Sequence, residues 1–348
     1  MSTKLTIDTK ALLNNLKVIK ELAKNRGVSI SVVTKAFVGH EALVNMLIDN
    51  GADSICEAHI ENLIKWDGIA AEKWLIRSPL MSETDEVINY ADVSLVSERT
   101  VLEKLSASAE KLGKTHKAVI MMELGELREG CMPDELLPLC ETCLALPGLE
   151  LYGIGAHLSS SNEIVPDEFN MTDLAVAAVE VENKLGVRLN VVSGGSSSAI
   201  KMLEEGTLPS NITHLRIGEA ILLGNIVCYD IPFKGAREDA FTLTAEIIEL
   251  KEKPSTPWGR LADGSEYSGD GSLRKRALVS VGKQDVFSKY LIPFDPKLVI
   301  IGDTSDCFIA DVTDSEIEYK PGDTVSFRLR YNGLVSAMAS DYIEKVLI

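Results

Sequence analysis

Apolar runs of strand length alternate with helix-length periodic segments through the first two thirds of the chain, and this rhythm constrains the fold more than any other feature. The strand-like runs are SVVTKA (31–36), SICEA (54–58), KWLIRS (73–78), VSLVS (93–97), KAVIMMEL (117–124), LYGIGAHL (151–158), RLNVVSGG (188–195) and HLRIGEAIL (214–222). Each of the first seven is followed by a helix candidate, among them GHEALVNMLIDNG, ERTVLEKLSASAEKLG and DLAVAAVEVENKLG. The runs are short, β-branched and apolar on both faces, as expected of parallel strands buried between helices and a packed centre. Eight such units are what a closed (β/α)8 TIM barrel requires, whereas a doubly wound open sheet rarely runs to eight regular units. The α/β barrel is the expected fold.

Ahead of the barrel stand LTID (5–8) and the helix candidate ALLNNLKVIKELAKN. From about residue 240 the texture changes to strands and turns: FTLTAEIIELKEK, RALVSVG, KLVIIGD, CFIADVTD and DTVSFRLRY. Polar clusters such as ADGSEYSGDGS and PGD separate them, and no long helix pattern recurs. The expected organisation is a barrel over 1–235 and a C-terminal antiparallel β domain over 236–348, with residues 1–10 the one stretch that could join the β domain instead.

Composition narrows the function. Fifty-two acids against 35 bases leave a formal charge of −17, which disfavours nucleic acid and anionic membrane as partners. No uncharged apolar run approaches the roughly 18 residues of a spanning helix, and MSTKLTIDTK lacks the apolar core of a secretion signal. A cytoplasmic protein is expected. Six cysteines are too sparse for a disulfide scaffold, and CETC (140–143) lies in an amphipathic helix pattern with no second pair to complete a metal site. Buried structural thiols and no metal are the expectation.

In such a barrel the chemistry sits at the C-terminal ends of the strands. Those ends carry Lys35, Arg77, Ser97, Arg128, His157, the run Ser193-Gly194-Gly195-Ser196-Ser197-Ser198, and Arg216. A lysine closing the VVT strand has two readings: a rim side chain that snorkels, or a desolvated amine that forms a Schiff base with a carbonyl. The Gly-Ser run after the seventh strand is either an ordinary capped loop, with Ser196 or Ser197 capping the next helix, or a phosphate site. RIGE (216–219) could close the same cup through the Gly218 N–H. A phosphate cup facing a Schiff-base lysine describes a pyridoxal-phosphate site.

With these residues in view, the chain resembles the fold-type III pyridoxal-phosphate enzymes, the alanine racemase superfamily. The matching segments run in the family's order: IDTKALLNNL, VVTKA, ELGELREG, GIGAHLSSS, GGSSSAI, RIGEAILLG, VSVGKQD, IIGDTSDCFIADVTD and LRYNGL. ELREG, VSGGSSS, RIGEAILLGN, ELKEKPSTP and LRKR are similar to the ornithine racemase branch. The resemblance implies a racemase interconverting L- and D-amino acids by two-base α-proton transfer, with a basic amino acid such as ornithine as substrate. Alanine, lysine or serine are the alternatives, as is a non-catalytic cofactor carrier.

Carried over by position, the resemblance makes Lys35 the cofactor-bearing base and places His157 beside the pyridine ring. Arg216 would donate to the pyridine nitrogen, and Arg128 would serve the cofactor oxygen and substrate carboxylate. Ser196, Ser197, Gly218 and Tyr331 would hold the phosphate, and Asp306 would stand near the substrate carboxylate. Two departures matter. The family's phosphate-binding tyrosine is replaced around Val38, and the aligned stretch KEKPSTPWGRL lacks the tyrosine that serves alanine racemases as the base on the second face. Tyr267 and Cys307 are the two candidates for that second base. Glu219, Asp285 and Asp306 are the candidate acids for a distal ammonium. A homodimer with shared sites is implied, taking a small amino acid.

Overall fold

The computed structural model describes residues 3–348 and divides into two compact units, one of Ala11–Glu238 and one of the residues up to Lys10 with Asp239–Ile348. Strand β1 (Lys4–Ile7) and helix α1 (Thr9–Lys24) precede eight strands: β2 (Ser29–Val33), β3 (Ser54–Glu57), β4 (Glu72–Leu75), β5 (Val93–Val96), β6 (His116–Met121), β7 (Leu149–Gly155), β8 (Val191–Ser193) and β9 (His214–Ile217). They close in sequence order into one parallel barrel, β9 pairing back onto β2, so the open-sheet alternative is discarded. The strands are shorter than the apolar runs that announce them. Lys35 lies outside β2 and begins a 3-10 turn, Lys35–Phe37.

The connecting helices are α2 (Glu41–Asp49), α3 (Ile60–Lys65), α4 (Thr84–Tyr90), α5 (Arg99–Leu112), α6 (Pro133–Ala145), α7 (Glu168–Leu185) and α8 (Ile200–Glu205), with α9 (Glu219–Leu223) after the last strand. Their apolar stripes, such as Leu102, Leu105 and Ala109 on α5, are buried. The barrel centre is filled by Val33, Cys56, Trp74, Val93, Leu95, Val119, Met121 and Val191. On the β7–β8 pair, a Cβ at Gly153 would stand 2.1 Å from the Val191 carbonyl oxygen, so only glycine lets these strands approach. Cys140 and Cys143 lie on the buried face of α6, where burial pushes both thiols up to about 12. A short ribbon of β10 (Asn225–Ile226) and β11 (Ile231–Pro232) completes this unit.

The second unit is one eight-stranded sheet built from β1, β12 (Phe241–Pro254), β13 (Leu273–Val279), β14 (Leu291–Pro293), β15 (Val299–Asp303), β16 (Phe308–Asp311), β17 (Thr324–Leu329) and β18 (Glu344–Leu347). The first half of β12 alternates buried and half-buried residues, as a sheet with one covered face requires. Two features correct the sequence reading. The β1–β18 pair is parallel, in an otherwise antiparallel sheet. A nine-residue helix, α10 (Tyr331–Ala339), stands where only strands were expected, so Tyr331 opens a helix. Among the described residues no helix is long and apolar enough to cross a membrane, and no cluster of three or more His, Cys, Asp or Glu could hold a metal.

Candidate active site

Lys35 follows Thr34, whose hydroxyl donates to the Cys56 carbonyl at 3.0 Å and to Glu57 Oε2 at 3.3 Å. This ties the lysine turn to the end of β3. Burial, and then the charge of Arg128, pull the Lys35 ammonium below the usual lysine range. Glu57 and Glu129 act in the opposite sense. The sequence reading missed Glu57, a buried acid closing SICE whose carboxyl is pushed up by burial although the Ala58 amide donates to it at 2.7 Å. An acid at the end of an apolar strand was the available signal.

Arg216 on β9 is 3% exposed and forms no ion pair among the described residues. Its Nη1 donates to Ser193 Oγ and its Nη2 to the Ala156 carbonyl at 2.9 Å. His157 lies two residues beyond β7, and burial together with Arg216, Arg128 and Lys35 lowers its imidazole to about 3. It is a neutral ring among three cations. Arg128 is half exposed in the loop after β6, paired with Glu129 at 3.0 Å, and its amide donates to Glu123 at 3.1 Å. Lys35, Arg128, His157 and Arg216 therefore share one electrostatic neighbourhood at the strand ends of one barrel. Arg77 pairs instead with Glu83 at 3.3 Å.

The Gly-Ser run departs from expectation. Ser196 stands at the N-cap of a 3-10 turn, Ser197–Ala199, without a side-chain cap bond. Ser197 caps a different helix: its Oγ accepts from the Gly218 amide at 3.3 Å and the Ala220 amide at 3.2 Å, at the start of α9. The Gly218 N–H is thus directed at Ser197 rather than held open for a cup, while the Ser197 hydroxyl keeps its own proton to donate. Val38, in the place of the missing tyrosine, is left-handed at φ 51°.

Glu126 is a second residue the sequence reading missed. Its buried carboxylate accepts from the amides of Ser159 (3.0 Å), Ser160 (2.9 Å), Asn162 (2.8 Å) and Ile164 (3.2 Å) and from Ser160 Oγ (2.9 Å). Burial opposes its ionisation, but these donors outweigh it and leave its pKa at about 2. The loop carrying Arg128 is clasped to the loop after His157.

The remaining candidates belong to the sheet unit. Tyr267 is 55% exposed in the coil between β12 and β13. Asp306 and Cys307 form the turn between β15 and β16, where Thr304 Oγ1 donates to Asp306 at 2.9 Å and lies 3.1 Å from Cys307 Sγ. Asp285 accepts from Ser340 Oγ at 2.6 Å.

The donors in the barrel fit pyridoxal phosphate by their chemistry. A desolvated amine suits a carbonyl, and a buried guanidinium without a carboxylate needs an acceptor. The serine hydroxyl at the start of α9 suits a phosphate oxygen.

Comparison with known proteins agrees. The family model described as alanine racemase, N-terminal domain, matches residues 7–225. The ornithine racemase of Acetoanaerobium sticklandii is 37% identical, covering 100% of both chains. The lysine racemase of Thermotoga maritima is 32% identical over 99% of this chain and 98% of its own. Among solved structures, the alanine racemase of Streptomyces coelicolor superposes with a TM-score of 0.79 at 17% identity, over 100% of this chain and 98% of that one. That of Bartonella henselae, with covalently bound pyridoxal phosphate, gives 0.77 at 18%, over 100% of both. At these identities the structural likeness concerns the fold.

Proposed function

The chain belongs to the alanine racemase family, and from that premise we propose that it is a pyridoxal-phosphate-dependent racemase of a basic amino acid, ornithine foremost. The observation that carries this reading is the convergence of Lys35, Arg128, His157 and Arg216 at the strand ends of one barrel. Full-length similarity to an ornithine racemase and a lysine racemase supports the substrate class.

By family resemblance Lys35 would bear the cofactor, with Ser196 and Ser197 toward its phosphate, His157 beside the ring and Arg216 toward the ring nitrogen. When bound, the cofactor supplies the electron withdrawal that acidifies the substrate Cα–H bond. Lys35 Nζ, its pKa lowered by burial, takes or returns the α-proton on one face. Arg216 can only donate, so it leaves an acceptor facing it unprotonated. That restrains the electron sink and favours reversible proton transfer over side reactions. Arg128 offers a guanidinium fork to the substrate carboxylate. A second proton carrier is needed on the other face, and Tyr267 and Cys307 are the candidates, with Asp306 toward the carboxylate. By family resemblance the working form would be a cytoplasmic homodimer with shared sites.

The test is the absorbance spectrum of the purified protein before and after borohydride, followed by peptide mass mapping and a racemisation panel. A visible band lost on reduction, an adduct on Lys35 and turnover of ornithine are expected. The absence of any band after added pyridoxal phosphate would remove the cofactor. A band without any D-amino acid formed would leave a carrier.

A further inference from the structure

Glu219 opens α9 directly after Gly218, and its carboxyl is largely withdrawn from water. Asn225, in β10, donates through Nδ2 to Glu219 Oε1 at 3.1 Å. The amide's other end has no such partner: Asn225 Oδ1 is buried and accepts no hydrogen bond among the described residues. A buried unpaired acceptor is costly, and here it belongs to the residue that already holds a desolvated carboxylate. Burial pushes the Glu219 carboxyl above its ordinary range and Asp230 pushes in the same direction, while the Asn225 hydrogen bond and then the Lys35 ammonium oppose them. The carboxylate therefore stands within the electrostatic reach of Lys35, inside the same unit. Carboxylate and carbonyl together lack a donor that carries positive charge and several N–H groups. A primary ammonium, with three N–H donors and no acceptor, matches that need.

We infer that Glu219 and Asn225 form the subsite for the distal ammonium of a diamino-acid substrate, Glu219 supplying the counter-charge and Asn225 Oδ1 the second acceptor. The inference rests on the racemase reading above and selects among its three candidate acids. Asp285 and Asp306 accept hydroxyl donors from Ser340 and Thr304. Glu219 is held by an amide that leaves an acceptor open beside it. Sequence alone could nominate Glu219, but not Asn225, because only the turn after α9 brings the amide back onto the carboxylate.

The experiment compares holoenzyme, Glu219→Gln and Asn225→Ala on ornithine and on 2-aminohexanoic acid, its isostere with a methyl group in place of the distal ammonium. Turnover gives kcat/KM for each, and perturbation of the visible cofactor band gives half-saturation by each ligand. Loss of the charged partner of a desolvated ammonium is expected to lower the ornithine-to-isostere ratio of kcat/KM about 100-fold in Glu219→Gln. Loss of the second acceptor is expected to lower it about 10-fold in Asn225→Ala. The half-saturation ratio should move the same way in both. If the wild type prefers ornithine and neither variant changes either ratio, the subsite is overturned while the racemase reading stands. If the wild type handles the isostere as well as ornithine, the basic-substrate reading fails, and the subsite with it.

Discussion

Ser193 Oγ lies 2.9 Å from His214 Nδ1, and the same hydroxyl accepts a hydrogen bond from the Arg216 guanidinium. The imidazole's other nitrogen is 2.7 Å from Ser31 Oγ, which is in turn 2.6 Å from Ser54 Oγ. Trp74 stacks on the imidazole with centroids 4.5 Å apart and planes 19° from parallel. A line of polar groups thus runs through an otherwise apolar barrel centre and ends on Arg216. Burial lowers His214 to about 3, so the ring adds no second charge beside the guanidinium.

Ser193→Ala removes one of the two acceptors recorded for a buried guanidinium. It should lower the unfolding free energy of the cofactor-free protein by about 1–3 kcal/mol, read by chemical denaturation. A change below about 0.5 kcal/mol would mean that the Ala156 carbonyl alone holds the arginine.

Glu126→Gln keeps the shape of the clasp but removes its charge and replaces one acceptor oxygen with a donor. Leu127, Ser159 and Glu163 on the clasped loops all have positive φ, at 54°, 63° and 57°, which costs conformational energy unless the surroundings hold them. The variant should lose about 2 kcal/mol of stability. Its amides at Ser160, Asn162 and Ile164 should exchange hydrogen faster, in step with one another. Unchanged exchange at these amides would show that the loop holds its shape without the carboxylate.

His116 is 1% exposed, 2.8 Å from Ser94 Oγ, and burial lowers it from 6.5 to about 4. The unfolded chain therefore takes up a proton that the folded chain refuses. The stability this neutral ring contributes is complete above about pH 6.5 and is lost as pH falls toward 4. His116→Gln should flatten the fall in unfolding free energy across that window by up to about 1.4 kcal/mol per pH unit. Titrations of the two proteins by denaturant at pH 7, 6, 5 and 4.5 decide the matter, and parallel curves would refute it.

Gly153→Ala would force a methyl group against the Val191 carbonyl, 2.1 Å away across two barrel strands. Neither atom belongs to a flexible side-chain end, so the β7–β8 pairing must shift. A loss of about 3 kcal/mol or more is expected, seen as a lowered melting temperature or loss of soluble protein. A variant within about 1 kcal/mol of the wild type would show that the barrel wall yields.

Local periodicity made the eight strand–helix units legible, because each element's apolar pattern is written in its own residues. Strand-end position and family resemblance were enough to nominate Lys35, Arg128, His157 and Arg216. Other features depended on partners far apart in the chain, such as Glu126 with Ser159–Ile164 and Ser193 with His214. Helix α10 is nine residues long and follows a strand pattern without a break, so its local signal was too short to separate. One reading of the Gly-Ser run has Ser196 or Ser197 capping the helix that follows, yet closure of β8 against β9 brings the start of α9 within reach of Ser197. Hydrophobic pattern is a property of neighbours along the chain and specifies elements. Hydrogen bonds between buried polar groups depend on where those elements end in space, which only the closed barrel decides.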